Sequence, residues 1–296
     1  VKHRYLWVFK PLTHLSDEKK QPAHYLVVPA GGTGLVLRGL RKEPATIGKW
    51  HLGWDLTYKE GKAKTVDNID FTKRVANGPT DRGFDYFYGL TSPSGPPHLY
   101  MVNDMAEKQP NTRFEESGGG LYKIKGGIGH SDWSSDGMQP HLADKMLEYL
   151  DENKDSDKPF FLYMALTAPH IPLFPSKEFK GKSKIGDYGD LVMMIDDIVG
   201  RVNRKLKEIG KYNNTIVMFA ADNGCAGYIN MDRINRKGHY PSYIYRGYKS
   251  HGWEGGHRIP FILSWGDRYG HVTDNSLVSL TDLYATFADM LGYRIA

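Results

Sequence analysis

Two short runs of this chain are apolar at almost every position: Pro159-Phe160-Phe161-Leu162-Tyr163-Met164-Ala165-Leu166 and Thr215-Ile216-Val217-Met218-Phe219-Ala220-Ala221. A strand with one wet face alternates apolar and polar residues. A strand apolar throughout must be covered on both faces, and that is the condition of a parallel sheet carrying helices on each side. Prolines bound the first run and Asp222 ends the second. Ile259-Pro260-Phe261-Ile262-Leu263-Ser264-Trp265 reads as a third strand, and Ala45-Thr46-Ile47-Gly48 as a short one ending in a glycine turn. Helical patterns alternate with them. Leu142, Met146, Leu147 and Leu150 share one face between Pro140 and about Asn153, and Leu191, Ile195, Ile198, Val202, Leu206 and Ile209 recur at helical spacing before Gly210. Leu280 to Leu291 forms a closing helix with Gly292 as its stop. Strands alternating with helices predict an α/β fold, doubly wound, with a mostly parallel central sheet.

The predicted α/β domain covers residues 45–296, and residues 1–44 are poorly patterned and unassigned. Residues 55–135 are loop-rich. A formal charge of +5 is small for 296 residues, and Lys and Arg are scattered among nearly as many acids. Nucleic-acid binders concentrate such an excess in a stripe, so that class is set aside. No apolar run reaches the roughly 20 residues that span a bilayer. The stretch Tyr5-Leu6-Trp7-Val8-Phe9 is cut off by Lys10-Pro11 before it makes a signal-peptide core.

In doubly wound sheets ligands sit beyond the carboxyl ends of the strands. Lys49 and His51 follow one predicted strand, His170 follows the next, and Asp222-Asn223-Gly224 follows the third. Lys249 precedes Trp253-Glu254-Gly255-Gly256-His257-Arg258 on the approach to the last. Each has an ordinary explanation when taken singly, since Asp-Asn-Gly is first of all a turn sequence. Together they combine oxygen donors for a hard cation, Ca²⁺ before Mg²⁺, with lysines and imidazoles suited to a tetrahedral oxyanion. That combination points to sulfuryl or phosphoryl transfer from an ester.

Here the sequence resembles a known family. Ile47-Gly48-Lys49-Trp50-His51-Leu52-Gly53 looks like the second sulfatase signature. Arg82-Gly83-Phe84-Asp85-Tyr86-Phe87-Tyr88-Gly89, Thr167-Ala168-Pro169-His170-Ile171-Pro172, Asp222-Asn223-Gly224 and the block from Lys249 to Phe261 are similar to further family segments, in family order over about residues 44–292. The resemblance implies an arylsulfatase-like sulfuric ester hydrolase of the alkaline phosphatase superfamily. It implies that Lys49 and Lys249 bind sulfate oxygens and that His51 orients the nucleophile. By the same resemblance His170 binds sulfate and protonates the leaving alcohol, and Asp222 and Asn223 are Ca²⁺ ligands. The substrate would be a sulfated small molecule or glycan, and the location periplasmic, secreted or lysosomal.

The family's nucleophile arises from a Cys/Ser-x-Pro-x-Arg motif, converted to formylglycine, and no such motif lies in residues 1–48. Asp17 is the sole aspartate before Lys49, so the family's N-terminal Asp-Asp metal pair is not seen either. Cys225 lies downstream without the proline and arginine, and reads as a small buried thiol beside a turn. The expectation is a chain truncated or frame-shifted upstream of about residue 44 and incomplete at both ends. The alternatives are a pseudoenzyme that binds sulfated glycans and a variant nucleophile such as Thr13 or Ser16. A phosphoester or phosphonate hydrolase of the same superfamily is the rival chemistry, against which Lys49 and Lys249 stand. Tyr86, Tyr88, His98, Tyr100, Trp133 and Tyr240 either line a sugar or aryl subsite or pack under the long loops.

Overall fold

The computed structural model of the protein describes residues 24–30, 43–92, 95–268 and 270–290. Among the described residues the strands are, in chain order, β1 His24–Ala30, β2 Glu43–Lys49, β3 Tyr86–Leu90, β4 Met101–Val102, β5 Met105–Ala106, β6 Thr112–Phe114, β7 Gly127–Gly129, β8 Phe160–Ala165, β9 Thr215–Ala221 and β10 Phe261–Trp265. The helices are α1 Met138–Glu152, α2 Asp187–Glu208, α3 Met231–Asn235, α4 Glu254–His257 and α5 Asp282–Met290. Eight strands make one sheet in the order β10-β9-β1-β8-β2-β3-β4-β5, and β6 and β7 pair separately. The run β9-β1-β8-β2-β3 is parallel. At one edge β10 is antiparallel to β9, and at the other β4 pairs antiparallel with β3 and β5 antiparallel with β4. The expected doubly wound, mostly parallel sheet is therefore present.

The two continuous apolar runs fill the two faces alternately. Phe160, Leu162 and Met164 of β8 enter one core with Leu142, Met146 and Leu150 of α1 and Leu191, Ile195, Ile198, Val202 and Leu206 of α2. Phe161, Tyr163 and Ala165 enter the opposite core with Leu283, Phe287 and Met290 of α5 and with Trp50, Phe71 and Phe84 from the long connection after β2. Topology dictates this division. The chain returns across the sheet in one direction through both α1 and α2, and right-handed crossovers then place both helices on one face. The step from β2 to β3 runs the other way, and its connection covers the other face.

One expectation is corrected. Residues 24–30 are not unpatterned: they form the central strand β1, paired over His24–Ala30 with β9 and over Tyr25–Val27 with β8. A proline normally argues against a central strand, because it lacks a ladder N–H. Pro29 lies beyond Val27, the last residue paired with β8, so the ladder on that side has already ended. The rest of residues 1–44, including Thr13, Ser16 and Asp17, lies outside the described residues except at Glu43 and Pro44 of β2. The closing helix is described as far as Met290, so Leu291 and Gly292 also lie outside.

Ahead of α2 a tight loop is held by a buried carboxylate. Asp190 is fully buried and accepts backbone hydrogen bonds from Gly181 (2.7 Å) and Ser183 (2.6 Å). Charge-assisted bonds of this kind satisfy the loop's amides without water. They fix the start of α2, which forms one wall of the cleft described next.

Candidate active site

Because β9, β1, β8 and β2 are parallel, their carboxyl ends share one edge, and the register shows that those ends are level: Ala30 lies opposite Ala221, and Gly48 opposite Ala165. Lys49 is the last residue of β2, His170 follows β8 by a short loop, and Asp222 and Asn223 follow β9. The close spacing of these ends requires glycine. A Cβ on Gly48, whose φ is +134°, would sit 2.0 Å from the Ala165 carbonyl oxygen. One on Gly89 would sit 1.7 Å from the Gly48 oxygen.

Lys249 reaches the same edge from a loop. Its backbone N–H donates to the Cys225 carbonyl (2.8 Å), and the Gly224 N–H donates to the Gly256 carbonyl (2.9 Å). These two bonds bracket the Asp222–Cys225 turn against the segment from Lys249 to α4. Gly224 is needed for this approach, since a Cβ there would lie 1.9 Å from the Gly255 oxygen. The result is a cleft of about 920 Å³ lined by Lys49, His170, Asp222, Asn223 and Lys249. Its walls extend along α2 and the β9–β10 edge. His51 is exposed at the rim rather than in the lining, close enough that Lys49 and Lys249 both act on its charge.

The His170 loop is pinned from α1. Gln139 is buried, and its side-chain carbonyl accepts from the backbone N–H of Ala168 (2.9 Å) and Thr167 (3.2 Å). The His170 backbone N–H donates to Thr167. The imidazole Nδ1 lies 2.6 Å from the Ile171 carbonyl oxygen. A carbonyl can only accept, so Nδ1 carries the proton and Nε2 is left as the ring's second functional nitrogen.

Electrostatics tie the group together. Burial pushes the Lys49 ammonium below its ordinary value, opposed by Asp222 and assisted by Lys249. Both imidazoles are lowered: His51 by desolvation, then Lys49 and Lys249, and His170 by desolvation, partly offset by its bond to Ile171, then Lys249 and Lys49. Asp222 keeps solvent contact at the mouth of the cleft. The surrounding protein nevertheless withholds enough water to raise its carboxyl above the ordinary value, against the pull of Lys49 and Lys249. Cations that depress each other's protonation form a site in which a bound anion relieves the repulsion.

Among the described residues no group of three or more His, Cys, Asp or Glu side chains stands together as a metal site. Asp222 and Asn223 provide two oxygen-bearing side chains where Ca²⁺ takes 6–8 oxygens. In sequence β1 is followed by Gly31 and Gly32, which carry no donor side chain. Among the described residues, the side chains do not by themselves make a calcium site. Cys225 lies in the cleft wall, with its Sγ 3.5 Å from the Tyr188 hydroxyl, and burial raises its thiol.

The aromatic candidates separate cleanly. Tyr88, His98, Tyr100 and Trp133 are buried, and Tyr86 stacks on Tyr149 of α1, so these five pack within the fold and none lines the cleft. Tyr240 is exposed but does not line the cleft. Sequence reasoning missed Tyr228 and Tyr243, which do line it. Their signal was the density of tyrosine between residues 228 and 248, just after the Asp-Asn-Gly turn.

Fold and cleft thus define a doubly wound α/β domain with two lysines and an imidazole lining one cleft at its strand ends. The sulfatase family profile matches residues 36–293. An N-acetylgalactosamine-6-O-sulfatase of Bacteroides thetaiotaomicron is 29% identical over 280 residues, covering 83% of this chain and 53% of the relative. An arylsulfatase of Hemicentrotus pulcherrimus is 30% identical over 246 residues, covering 83% and 40%. Among solved structures, a Bacteroides thetaiotaomicron sulfatase from a locus for glycosaminoglycan metabolism superposes with a TM-score of 0.70 at 25% identity, covering 86% of this chain and 59% of its own. A Pseudoalteromonas sulfatase superposes at 0.65 and 21% identity, covering 95% and 70%. The chain belongs to the sulfatase family. It spans about half the length of the curated relatives it matches.

Proposed function

We propose that this chain carries the sulfate-binding face of a sulfuric ester hydrolase, with Lys49, Lys249 and His170 holding the ester's sulfate and His170 serving its leaving oxygen. The observation that carries the reading is the convergence of two lysines and an imidazole at level strand ends, in a cleft with a single carboxylate among the five site residues. With Asp196 and Arg258 also lining the cleft, three cationic side chains face two carboxylates, which leaves it cationic and suited to a monoanionic sulfate ester. His170 is oriented for its part by the Nδ1–H bond to Ile171, which leaves Nε2 to hold or give a proton at the bridging oxygen. His51 at the rim adds a second titratable group next to the lysines.

Asp222 and Asn223 are the share this chain would contribute to a bound Ca²⁺, which would supply charge to the sulfate oxygens. Two side chains leave most of the ion's shell unfilled. Hydrolysis also needs a nucleophile. Cys225 is a poor one, since its thiol is raised and not lowered. This observation favours a second reading, sulfate-ester binding without turnover by these residues. The two lysines favour sulfate over the two-metal phosphoester chemistry of the superfamily. The sugar sulfatases among the relatives suggest a sulfated glycan as substrate, and with it an extracytoplasmic location. Among the described residues no helix is long and apolar enough to cross a membrane.

The test is titration of inorganic sulfate and of an aryl sulfate across pH, with aryl phosphate in parallel. In the free protein both imidazoles lie below their ordinary value of about 6.5. A bound anion offsets the lysine charge and raises them, so binding takes up protons. Sulfate affinity is expected to increase as pH falls toward the imidazoles' free-state values, which lie below the ordinary 6.5, and to level off once pH is beneath them. Calorimetry in buffers of different ionisation enthalpy should register the proton uptake. Affinity independent of pH, or aryl phosphate bound in preference to aryl sulfate, would refute the reading.

A further inference from the structure

The cleft's outer wall carries two tyrosines that the packing of the fold does not account for. Tyr228 is 43% exposed and Tyr243 52% exposed, yet both line the cleft. The Tyr228 ring stands edge-on to His170 with centroids 6.5 Å apart, and its hydroxyl takes a hydrogen bond from the backbone of Ile171, the residue that also fixes His170. Tyr243 has a φ of +50°. A bulky residue in the left-handed region is an outlier, because its Cβ crowds the following carbonyl. A turn maintains this conformation: the Tyr243 N–H donates to Tyr240 (2.8 Å) and the Tyr245 N–H to Ser242 (2.9 Å). Tyr245, held under the Arg258 guanidinium at 4.5 Å, meets the Tyr243 ring edge-on at 5.9 Å. A strained backbone that presents a large aromatic face to solvent is a feature of ligand sites rather than of folding.

We infer that Tyr228 and Tyr243 form an aromatic clamp that selects sulfate esters of cyclic alcohols, by taking the flat face of a pyranose or aryl ring beside the anion site. The inference rests on the proposed sulfate site, since the ring is placed by the sulfate that Lys49, Lys249 and His170 hold. Ring faces with C–H or π surface stack on tyrosine, whereas an acyclic chain offers no comparable plane. Tyr228 sits next to His170, so the ring it would hold is the one bonded to the ester oxygen. Tyr243 lies farther along the wall, within reach of the same ring or the next one.

The experiment compares binding of inorganic sulfate, galactose 4-sulfate, 4-nitrophenyl sulfate and hexyl sulfate to the full chain and to Tyr228→Ala, Tyr243→Ala, Tyr228→Phe and Tyr240→Ala. The two cleft alanine variants should lose about 5- to 10-fold in affinity for both ring sulfates and leave inorganic sulfate and hexyl sulfate unchanged. Tyr228→Phe should restore ring binding to within about 2-fold, and Tyr240→Ala, outside the cleft, should change nothing. Unchanged inorganic sulfate binding also shows that a variant has kept its fold. Loss of one ring class but not the other would identify whether the clamp serves sugars or aryl groups, and either supports it. Hexyl sulfate binding as tightly as the ring sulfates, or alanine variants binding rings like the parent, would overturn the clamp while leaving the sulfate site standing. Failure of the parent to bind inorganic sulfate would instead remove the sulfate site itself.

Discussion

Lys49→Ala is expected to cut sulfate affinity by about 100-fold while leaving thermal stability unchanged or slightly raised. The two effects part because a buried cation costs the fold what it contributes to the ligand. Lys49 is 8% exposed, and burial already pushes its ammonium below the ordinary value. Removing it relieves that desolvation, and Asp222 retains Lys249 as a partner. The bound sulfate loses a charge-assisted hydrogen bond in a site shielded from water, worth about 2–3 kcal/mol. Lys249→Ala should lower affinity in the same direction. Calorimetric titration with sulfate, alongside thermal denaturation, checks both halves. Equal loss of binding and stability would mean that Lys49 is structural.

Gly48→Ala is expected to destabilise the domain by more than about 4 kcal/mol, enough to remove most of the folded protein. Two mechanisms add. At φ +134° an L-residue is strained, and the new methyl would meet the Ala165 carbonyl at 2.0 Å, backbone against backbone in the middle of the sheet. Nothing there is the flexible end of a side chain, so relaxation requires β2 and β8 to separate. Urea unfolding, or recovery in the soluble fraction if the variant does not fold, measures the effect. A stable Gly48→Ala protein would show that β2 and β8 are not registered as described, and with them the placement of Lys49 beside His170 would fail.

The elements that positioned the site were legible because burial on both faces leaves a plain mark. The runs at 159–166 and 215–221 became β8, Phe160–Ala165, and β9, Thr215–Ala221, and the helical spacing from Leu191 became α2. The rule that ligands gather at carboxyl ends then brought Lys49, His170 and Asp222 to one edge. β1 was not legible. Its apolar stretch is four residues long, Tyr25 to Val28, and is closed by a proline, a pattern shared by many loops. Its place is set by pairing with strands more than a hundred residues away, which local pattern does not encode. The cleft tyrosines escaped for a related reason. Tyr228 and Tyr240 look alike in the sequence, and only the fold shows that one meets His170 while the other does not line the cleft.

The approach of Lys249 was legible as a motif but not as a geometry. Sequence order placed it before the Glu-Gly-Gly segment. What delivers it to the strand ends is the pair of backbone bonds from Lys249 to Cys225 and from Gly224 to Gly256, closed over a glycine that has no room for a methyl. Side chains carry the chemistry of this cleft, while backbone contacts at Gly48, Gly89 and Gly224 set its dimensions.

If Lys49, Lys249 and His170 together hold one tetrahedral anion, a crystal structure of the protein grown or soaked with an aryl sulfate will show it. One sulfate group is expected within hydrogen-bond reach of Lys49 Nζ, Lys249 Nζ and His170 Nε2, with the ester's ring turned toward Tyr228. Sulfate found elsewhere on the surface, with these three groups turned away from one another at saturating ligand, would contradict it.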